Sequence, residues 1–421
     1  MRFPDLSEWL AWQELLHPNK IELGLDRVAT VAQRMGLMRP QHAVITVGGT
    51  NGKGSSVALL EAILRSAGYR VGSYTSPHLL RYNERIRIDG EDIDDDSLCL
   101  AFEHIDQARG DISLSYFEFG TLAAFEIFAR SRLDVAILEV GLGGRLDAVN
   151  IIDPDVALIA TIDIDHVSWL GDTRDAIGRE KAGIFRPGHP AVCGDPIPPP
   201  SIQQEADRIA APLYTLGRDF HYEAAPGAWR WWSAEHRRDA LPYPSLRGAY
   251  QVQNAAAVLM VLELLKPRFP VTQNDIRAGL ETVRLPGRFQ VVSGPVTQIF
   301  DVAHNPHGAK ALAETLREHP CSGTTHAVFS MLNDKDIVGV ISELRDSIKF
   351  WHIAGLVTDR GLDVASLEAI FATVGIAPES MHNTVAEARK HALAKATMGD
   401  RIVIFGSFYT VAQALGEAEP R

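Results

Sequence analysis

Short apolar runs that alternate with amphipathic segments constrain this chain more than any other feature. Four runs are apolar or β-branched, end in polar or glycine-rich turns and are predicted to be buried strands: Ala43–Val47, Arg70–Tyr74, Val135–Val140 and Val156–Ile162. Helix-like segments such as Ser55–Ala67 and Leu122–Arg130 lie between them. Strands that alternate with helices form a parallel sheet covered on both faces. We therefore expect an α/β fold whose ligands bind at the carboxyl ends of the strands.

The alternation is interrupted once and then resumes, which predicts a second domain. Prolines and aromatic residues crowd Ala211–Leu246, which indicates a small antiparallel or irregular insert, and a helix is expected at Asn254–Leu265. The second series has predicted strands at Gln298–Val302, Ala327–Met331, Phe350–Leu356 and Arg401–Phe405. Its predicted helices are Pro306–Glu318, Asp336–Leu344 and Val385–Ala396. We expect Leu285–Arg288 to link a domain of residues 1–285 to a smaller α/β domain of residues 286–421.

Charge and cysteine content limit the classes of function. The chain has 421 residues and a formal net charge of −12, so neither a nucleic acid nor a membrane surface is expected as its partner. Cys99, Cys193 and Cys321 are far apart and form neither a disulfide framework nor a C-x-x-C motif, which is typical of a reducing compartment. Met1–Asp5 has no apolar signal core, and no stretch approaches the ~20 apolar residues that cross a bilayer. We therefore expect a cytoplasmic protein that binds small molecules.

The strongest motif is Val47–Ser55, V-G-G-T-N-G-K-G-S, which follows a predicted strand and opens a predicted helix. Glycines let backbone N–H groups turn toward phosphate, and a helix N-terminus adds partial positive charge. Lys53 can reach β- and γ-phosphates as a point charge. The common P-loop pattern has its first glycine where Val47 stands and has no residue like Gly54 after its lysine. The strand, the lysine and the hydroxyl residues together still favour a nucleotide site over an ordinary strand-to-helix turn.

Two further motifs follow predicted strands of the first domain. Glu139 ends an otherwise apolar strand, and a buried carboxylate is costly unless it meets a cation. Magnesium beside ATP phosphates fits that need, with a salt bridge or a helix cap as the alternative. His166 follows Asp165 after another strand. His166 could bind a metal or a substrate while Asp165 orients it, although a histidine in such a place is more often structural.

Three other motifs are less specific. Asp301, His304 and Asn305 converge after the first strand of the second domain, where both a ligand contact and a helix cap formed by Asn305 are open. Lys181 lies at a charged helix end, which on composition alone is an ordinary feature that favours the helix dipole. The Y-F-E-F run at 116–119 could hold a flat heterocycle or belong to the core.

Taken in order, these motifs resemble the folylpolyglutamate synthase/dihydrofolate synthase family within the Mur ligase superfamily. The segments that carry the resemblance span nearly the whole chain: G-T-N-G-K-G-S at 49–55, S-P-H-L at 76–79, Y-F-E-F-G-T at 116–121, E-V-G-L-G-G-R-L-D at 139–147, D-H at 165–166, R-E-K-A-G-I-F at 179–185, L-P-G-R-F at 285–289, D-V-A-H-N-P at 301–306 and G-S-F at 406–408. The resemblance implies a P-loop-type Mur ligase central domain with a mostly parallel sheet, followed by a smaller Rossmann-like α/β domain.

The resemblance also implies an ATP-dependent amide ligase with its nucleotide between the two domains. The nucleotide-binding residues would be Thr50, Asn51, Gly52, Lys53, Gly54, Ser55, Asn254, Arg288, Asp301 and His304. Magnesium, as two ions, would be bound by Ser76, Glu139, His166 and a carbamylated Lys181. The pterin of the substrate would lie near Ser115, Tyr116, Phe117, Glu118, Leu146, Asp147 and Ala148. The expected catalytic residues are Lys53, His166 and Lys181.

The implied reaction activates a carboxylate by phosphoryl transfer from ATP, after which the amine of L-glutamate displaces phosphate. The expected substrates are dihydropteroate and tetrahydrofolates, and we expect a monomer. Folylpolyglutamate synthase activity alone is one alternative. A Mur-type ligase acting on a nucleotide-linked peptidoglycan precursor is another, although we expect that enzyme to have a further domain before Val44. A small-molecule kinase would need no second α/β domain, and Lys53 and Glu139 disfavour a non-catalytic nucleotide-binding module.

Overall fold

The chain forms two compact units. A computed structural model describes residues 2–18 and 22–416. The first unit comprises Met1–Ser245 and Val252–Val283, and the second comprises Leu246–Gln251 and Arg284–Arg421. Each unit contains its own β-sheet and its own apolar core. In the described part of the chain, no helix is both long and apolar enough to span a membrane.

The first unit is built from ten helices and eleven strands within the residues described. The helices are α1 (Leu6–Leu16), α2 (Asp26–Arg34), α3 (Lys53–Ser66), α4 (Asp95–Arg109), α5 (Tyr116–Arg130), α6 (Val167–Leu170), α7 (Arg174–Ala182), α8 (Pro200–Ile209), α9 (Ala249–Leu265), whose first residues belong to the second unit, and α10 (Gln273–Thr282). The strands are β1 (Ala43–Gly48), β2 (Val71–Tyr74), β3 (Ile86–Ile88), β4 (Glu91–Asp92), β5 (Val135–Glu139), β6 (Val156–Ile159), β7 (Ala191–Cys193), β8 (Leu213–Thr215), β9 (Phe220–Ala225), β10 (Ala228–Ser233) and β11 (Arg237–Leu241). Short 3₁₀ helices occupy Tyr82–Arg85 and Ala148–Ile151.

The main sheet of the first unit has eight strands in the order β4-β3-β2-β5-β1-β6-β7-β8. Its pairs are parallel from β2 to β8, and only β3 and β4 add antiparallel pairing at one edge. The register sets Val47 opposite both Glu139 and Leu158. The carboxyl ends of β2, β5, β1 and β6 are therefore neighbours, and the segments that follow them meet at one edge of the sheet. The predicted α/β fold with a mostly parallel sheet is confirmed.

One predicted strand is too long. The run Val156–Ile162 predicts a strand to Ile162, but β6 ends at Ile159. Beyond that point the backbone bonds to other partners. The carbonyl of Thr161 accepts the N–H of Thr50, and the N–H of Ile162 donates to the carboxylate of Asp195. The apolar pattern continues, but side-chain and loop partners have replaced the neighbouring strands.

Three helices begin earlier than their apolar patterns predict, and one of them is α9, which begins at Ala249 rather than Asn254. Helix α3 begins at Lys53 rather than Ser55, directly after Gly52 in the left-handed region. Helix α5 begins at Tyr116 rather than Leu122, because Ser115 accepts the N–H of Glu118 while the Glu118 carboxylate accepts the N–H of Ser115. Such a capping box stabilises a helix start by about 1 kcal/mol. The left-handed turn at Gly52 and the capping box at Ser115, rather than the apolar periodicity, set these two starts.

The predicted insert is a three-stranded antiparallel sheet in the order β11-β10-β9. Trp229 and Trp231 of β10 are fully buried. Each indole finds a backbone acceptor, since Trp229 Nε1 donates to Pro242 at 2.8 Å and Trp231 Nε1 donates to Ala256 of α9 at 3.0 Å. The aromatic crowding that marked the insert in the sequence therefore anchors it to the first unit.

The second unit is a smaller α/β sheet with one antiparallel edge strand. Its elements are β12 (Gln290–Val292), β13 (Thr297–Asp301), α11 (Pro306–Glu318), β14 (Thr325–Phe329), α12 (Ile337–Leu344), β15 (Phe350–Ala354), α13 (Val364–Thr373), β16 (Ser380–His382), α14 (Val385–Lys395), β17 (Arg401–Phe405) and α15 (Phe408–Leu415). The strand order is β12-β13-β17-β14-β15-β16, and all pairs except β12–β13 are parallel. The strands and helices predicted for this region are confirmed. The short strands β12 and β16 and the helices α13 and α15 were not predicted.

Four histidines cluster on β14, β15, β16 and α14 of the second unit. The rings of His326 and His352 stack with centroids 5.4 Å apart, and His352 Nδ1 lies 2.7 Å from Ser380 Oγ. His391 packs against both His352 and His382. Burial, followed by the neighbouring histidines, lowers the pKa of His352 to about 4. The charged groups around the cluster are Asp400, Glu379, Glu387, Lys349 and Lys395.

We expect acid to destabilise this cluster through His352. The pKa of a histidine is about 6.5 in the unfolded chain. Just below that pH, His352 is therefore protonated in the unfolded chain but still neutral in the folded chain. The stabilisation is therefore complete above about pH 6.5 and is lost as the pH falls toward about 4. Between about pH 7.5 and pH 5 the loss is about 2 kcal/mol. The measurement is urea unfolding of the parent and of His352→Gln, and the difference between their pH dependences isolates this residue. Identical pH dependences would contradict the expectation.

Candidate active site

Four segments predicted to carry chemistry meet at one edge of the sheet in the first unit. Ser76 follows β2, Glu139 ends β5, the glycine-rich loop follows β1, and Thr161–His166 follows β6. The N–H of Ser76 donates to Glu139 Oε2 at 3.2 Å. Glu139 is buried. Ser76 and Glu139, which are 63 positions apart, and Thr50 and Asp163, which are 113 apart, are neighbours here because their strands pair in parallel.

The glycine-rich loop depends on backbone conformations that favour glycine. Gly52 has φ 86°, and a Cβ added there would lie 2.6 Å from Oδ1 of Asn254. Only glycine therefore allows the carboxamide of Asn254 to pack against the loop. Helix α3 begins at the next residue, so the N-terminus of a helix, with its partial positive charge, lies beside the loop. The structure thus brings Asn254 to the loop, as the predicted nucleotide-binding set requires.

Lys53 and Lys181 are close enough for each to influence the other. Lys53 Nζ donates to the carbonyls of Gly49 and Thr50 at 3.0 and 3.2 Å. Lys181, in the last turn of α7, is only 4% exposed. Burial, and then the charge of Lys53, lower the pKa of Lys181 to about 7, against the opposing influence of Asp165. The interpretation of Lys181 as part of an ordinary charged helix end, which composition alone indicated, is therefore wrong.

The loop that follows β5 packs on the end of α7. The N–H of Arg145 donates to the carbonyl of Glu180 at 2.9 Å, and a Cβ on Gly144 would lie 2.8 Å from the same oxygen. Asp147 is buried and accepts the N–H groups of Leu142 and Val149 at 2.8 and 3.1 Å. Burial raises the pKa of Asp147 to about 6. These contacts bring the predicted pterin segment 146–148 to the helix that carries Lys181.

The predicted pterin residues at the start of α5 have two kinds of environment. Phe117 lies against the loop after β5, since a Cβ on Gly141 would lie 2.6 Å from its ring. The carboxylate of Glu118 is instead occupied, because it caps α5 and pairs with Arg27 at 3.1 Å. Phe117 therefore offers a ring surface at this site, and Ser115 and Glu118 secure the helix that presents it.

Sequence reasoning missed Arg85. Its guanidinium is buried against the rings of Tyr82 and Tyr116, at 5.1 and 5.4 Å from their centroids. Its Nε donates to Nδ1 of His78 at 2.9 Å. Burial and the Arg85 charge lower the pKa of His78 to about 4, so His78 accepts this bond as a neutral ring. The only available signal in the sequence was its position a few residues after the S-P-H-L motif, which does not reveal its contacts with the two tyrosine rings.

In the second unit, the predicted residues gather around Phe408. The guanidinium of Arg288 lies 5.1 Å from the centroid of the Phe408 ring, and the His304 ring lies 6.3 Å from it. The buried carboxylate of Asp301 accepts the N–H groups of Phe289 and Ala303, both at 2.8 Å. Burial raises the pKa of Asp301, and Arg288 opposes this effect.

Asn305 resolves one alternative that the sequence left open. Its side chain accepts the N–H of Gly308 at 2.8 Å and caps α11, with Pro306 in the first helical position. The helix-cap interpretation is therefore confirmed for Asn305. His304 donates from Nδ1 to the carbonyl of Val302 at 2.9 Å, which fixes the orientation of its ring.

The predicted metal set contains one carboxylate and one imidazole, from Glu139 and His166. Over residues 2–18 and 22–416, no group of three or more His, Cys, Asp or Glu side chains is arranged to hold a metal ion. His166 has left-handed backbone angles of φ 53° and ψ 42°, and its N–H donates to its neighbour Asp165 at 2.8 Å.

Models of two known domain families match the chain. The model of the Mur ligase middle domain matches residues 47–217, and the model described as "Mur ligase, glutamate ligase domain" matches residues 287–408. The fold and the site thus define a ligase of the Mur class. A relative from Escherichia coli K12, "Dihydrofolate synthase/folylpolyglutamate synthase", is 43% identical over 416 residues, which is 99% of this chain and 96% of that protein. The chain belongs to the dihydrofolate synthase/folylpolyglutamate synthase family.

Solved structures of relatives have the same fold. E. coli FolC in complex with DHPP and ADP superimposes with a TM-score of 0.94 at 43% identity, covering 99% of this chain and 98% of FolC. A bifunctional folylpolyglutamate synthase/dihydrofolate synthase with Mn, AMPPNP and L-glutamate bound gives a TM-score of 0.92 at 44% identity, covering 99% and 98%. The family predicted from the sequence motifs is confirmed.

Proposed function

We propose that the protein is a bifunctional ATP-dependent ligase that adds L-glutamate to dihydropteroate and to folates. The convergence of the glycine-rich loop, Glu139 and Lys181 at one sheet edge carries this proposal. The similar proteins support the choice of substrates, since one is named for both activities and another binds Mn, AMPPNP and L-glutamate. Folylpolyglutamate synthase activity alone is the alternative within the family.

The residues at the sheet edge fit a nucleoside triphosphate with a divalent cation. The glycine-rich loop, the N-terminus of α3 and Lys53 supply positive charge and N–H donors for phosphate. Glu139, the hydroxyl of Ser76 and the imidazole of His166 are oxygen and nitrogen ligands suited to magnesium beside phosphate. Bound magnesium would neutralise phosphate charge and polarise a phosphoryl oxygen. A carbamylated Lys181 would add a second carboxylate for a second ion.

The residues of the chain would act mainly by positioning and by countering charge. A carboxylate becomes an acyl donor once it is phosphorylated, and two anions must approach each other for that step. Lys53 and the N–H groups of the loop offset their repulsion. Phe117 would hold the flat pterin, and the guanidinium of Arg85 beside Tyr116 offers a cation for an anionic part of the substrate.

The second unit would contribute further nucleotide and glutamate contacts. Arg288 and His304 flank the ring of Phe408, and Asp301 is the buried acid beside Arg288. We propose these as the nucleotide-binding residues of this unit. The match to a glutamate ligase domain supports a role for the unit in handling L-glutamate. Since every proposed residue comes from one chain, a monomer would carry a complete set.

Phosphate release from ATP tests the function directly. The assay is run with L-glutamate plus dihydropteroate and, separately, with L-glutamate plus tetrahydrofolate. Bifunctionality requires glutamate-dependent release with both acceptors. Release with tetrahydrofolate alone would identify a folylpolyglutamate synthase. ADP formation that needs no amino acid and releases no inorganic phosphate would indicate a kinase, because a kinase leaves the phosphoryl group on its acceptor.

We predict that Phe117→Ala impairs dihydropteroate glutamylation more than tetrahydrofolate glutamylation. A folate that already carries glutamate is one residue longer, so its pterin must lie elsewhere if both carboxylates reach the same phosphate. Loss of one stacked ring should lower dihydropteroate turnover about tenfold. The measurement is kcat/KM for both acceptors, with Phe117→Tyr as the control that keeps a ring. Equal losses would exclude two pterin positions without excluding bifunctionality.

A further inference from the structure

One ion pair holds both backbone polar groups of Ile162. Asp195, two residues after β7, is 3% exposed, and its Oδ2 accepts the N–H of Ile162 at 2.8 Å. The same oxygen pairs with Nη2 of Arg174 at 2.9 Å, while Nε of Arg174 donates to the carbonyl of Ile162 at 2.9 Å. Oδ1 of Asp195 accepts the N–H of Ile197, also at 2.9 Å. The carboxylate and the guanidinium thus grip the segment that leads to His166.

The glycine-rich loop holds the residues on either side of Ile162. The hydroxyl of Thr50 donates to the carbonyl of Asp163 at 2.9 Å and accepts its N–H at 3.0 Å. The hydroxyl of Thr161 donates to the carbonyl of Asn51 at 3.0 Å. Three consecutive residues, 161 to 163, are therefore fixed by groups from outside their own segment. The Arg174–Asp195 pair is the part of this network that lies outside the glycine-rich loop.

Arg174 also connects this segment to the helix of Lys181. Arg174 is the first residue of α7, and Lys181 lies in the last turn of the same helix, about 10 Å further along its axis. The ion pair therefore ties the segment before His166 to the rigid element that carries Lys181. We propose that the Arg174–Asp195 pair positions His166 relative to Lys181 and so sets the metal affinity of the site. This inference rests on the proposed function, because that function makes His166 and Lys181 metal ligands.

The geometry predicts which substitutions of Arg174 disrupt its bonds to Asp195 and to the Ile162 carbonyl. Arg174 needs two separate donors, one for Asp195 and one for the Ile162 carbonyl, and a guanidinium presents both in a fixed fork. Arg174→Lys keeps the charge beside Asp195, but its three donors share one nitrogen, so it cannot reproduce the fixed spacing of Nε and Nη2 that reaches the Ile162 carbonyl and Asp195 together. Arg174→Gln removes the charge. The side chain of Arg174 is 37% exposed, so neither variant opens a cavity in the core.

The test measures metal binding apart from turnover. Mn²⁺ binding to the ADP complex is followed by electron paramagnetic resonance in the parent, Arg174→Gln and Arg174→Lys. Partners that orient metal ligands are worth about 10- to 100-fold in metal affinity. We expect at least a tenfold weaker Mn²⁺ affinity in both variants, with ADP binding in the absence of metal changed less than about twofold. Any ligase activity that the two Arg174 variants lose should return at high Mg²⁺ concentration. Arg208→Gln, which breaks an exposed pair with Glu205 on α8, should leave Mn²⁺ affinity unchanged.

His166→Ala separates failure of this inference from failure of the proposed function. If His166→Ala does not weaken Mn²⁺ binding, the proposed metal role of His166 is wrong. If His166→Ala weakens binding while folded Arg174→Lys does not, the positioning role alone is overturned. The positioning role would also be overturned if ADP affinity without metal fell as much as Mn²⁺ affinity. The ion pair would then support the whole glycine-rich loop. Arg174→Lys decides the matter should Arg174→Gln fail to fold.

Discussion

Replacement of Lys53 by alanine is expected to leave the fold intact and to lower turnover roughly a hundred- to thousandfold. That magnitude is typical when one preorganised charge is removed from a reacting centre. The fold should survive because Lys53 Nζ donates to the carbonyls of Gly49 and Thr50 in its own loop, and α3 keeps its apolar face. The measurement is kcat for glutamate-dependent phosphate release, with the melting temperature as the check on folding.

Lys266→Ala is a matched control for the Lys53 variant. Lys266 follows α9, and its ammonium group lies near His236 and Glu263, away from the glycine-rich loop. The same change of charge there should leave kcat within about twofold of the parent, in line with the small worth of exposed ion pairs. Near-normal turnover in folded Lys53→Ala would exclude the proposed phosphate role.

Lys181 is expected to be carbamylated in the active enzyme, and Lys181→Ala should lose at least a hundredfold in rate. Reaction with carbon dioxide requires an unprotonated amine, and burial and Lys53 lower the pKa of Lys181 to about 7. The carbamate would be an anion beside Asp147 and Asp165, so Lys53 and the metal ions would have to balance it. The measurement is carbon-13 NMR after labelling with bicarbonate, because the adduct is labile in acid.

Chemical rescue distinguishes a missing carboxylate from a damaged helix. Lys181→Ala leaves space where the carbamate would lie, and short carboxylic acids should restore part of its activity. Lys181→Gln fills the same space without an acid and should not respond to them. An unmodified ammonium at Lys181 in fully active enzyme would contradict carbamylation outright.

The sequence predicted the elements best where local signals were strong. Helix α11 runs from Pro306 to Glu318 as expected, because Asn305 and Pro306 mark its start unambiguously. The end of β6 was misplaced because Ile162 is as apolar as the residues before it, while its backbone bonds to Asp195 across 33 positions of sequence. Periodicity reports the faces of an element and cannot report which distant group will satisfy its backbone.

The candidate site shows the same division. Glu139 and the glycine-rich loop could be predicted because Glu139 ends an apolar strand and the loop directly follows one. The burial of Lys181 could not, since it results from packing of the loop after β5 onto α7. Arg85 was missed for a related reason. Its partners His78 and Tyr82 lie within seven residues of it, but Tyr116 comes from α5, and that contact exists only in the folded chain.

The two hydrogen bonds between the Thr50 hydroxyl and the backbone of Asp163 are expected to make the proposed nucleotide and metal sites thermodynamically interdependent. Because one hydroxyl both donates to and accepts from the backbone beside His166, any ordering of one loop orders the other. Linkage then requires that nucleotide raise metal affinity by the same factor by which metal raises nucleotide affinity. A valine at position 50 would keep the shape of the side chain and remove both bonds. Heterotropic cooperativity between the two ligands should then fall, even where each still binds alone.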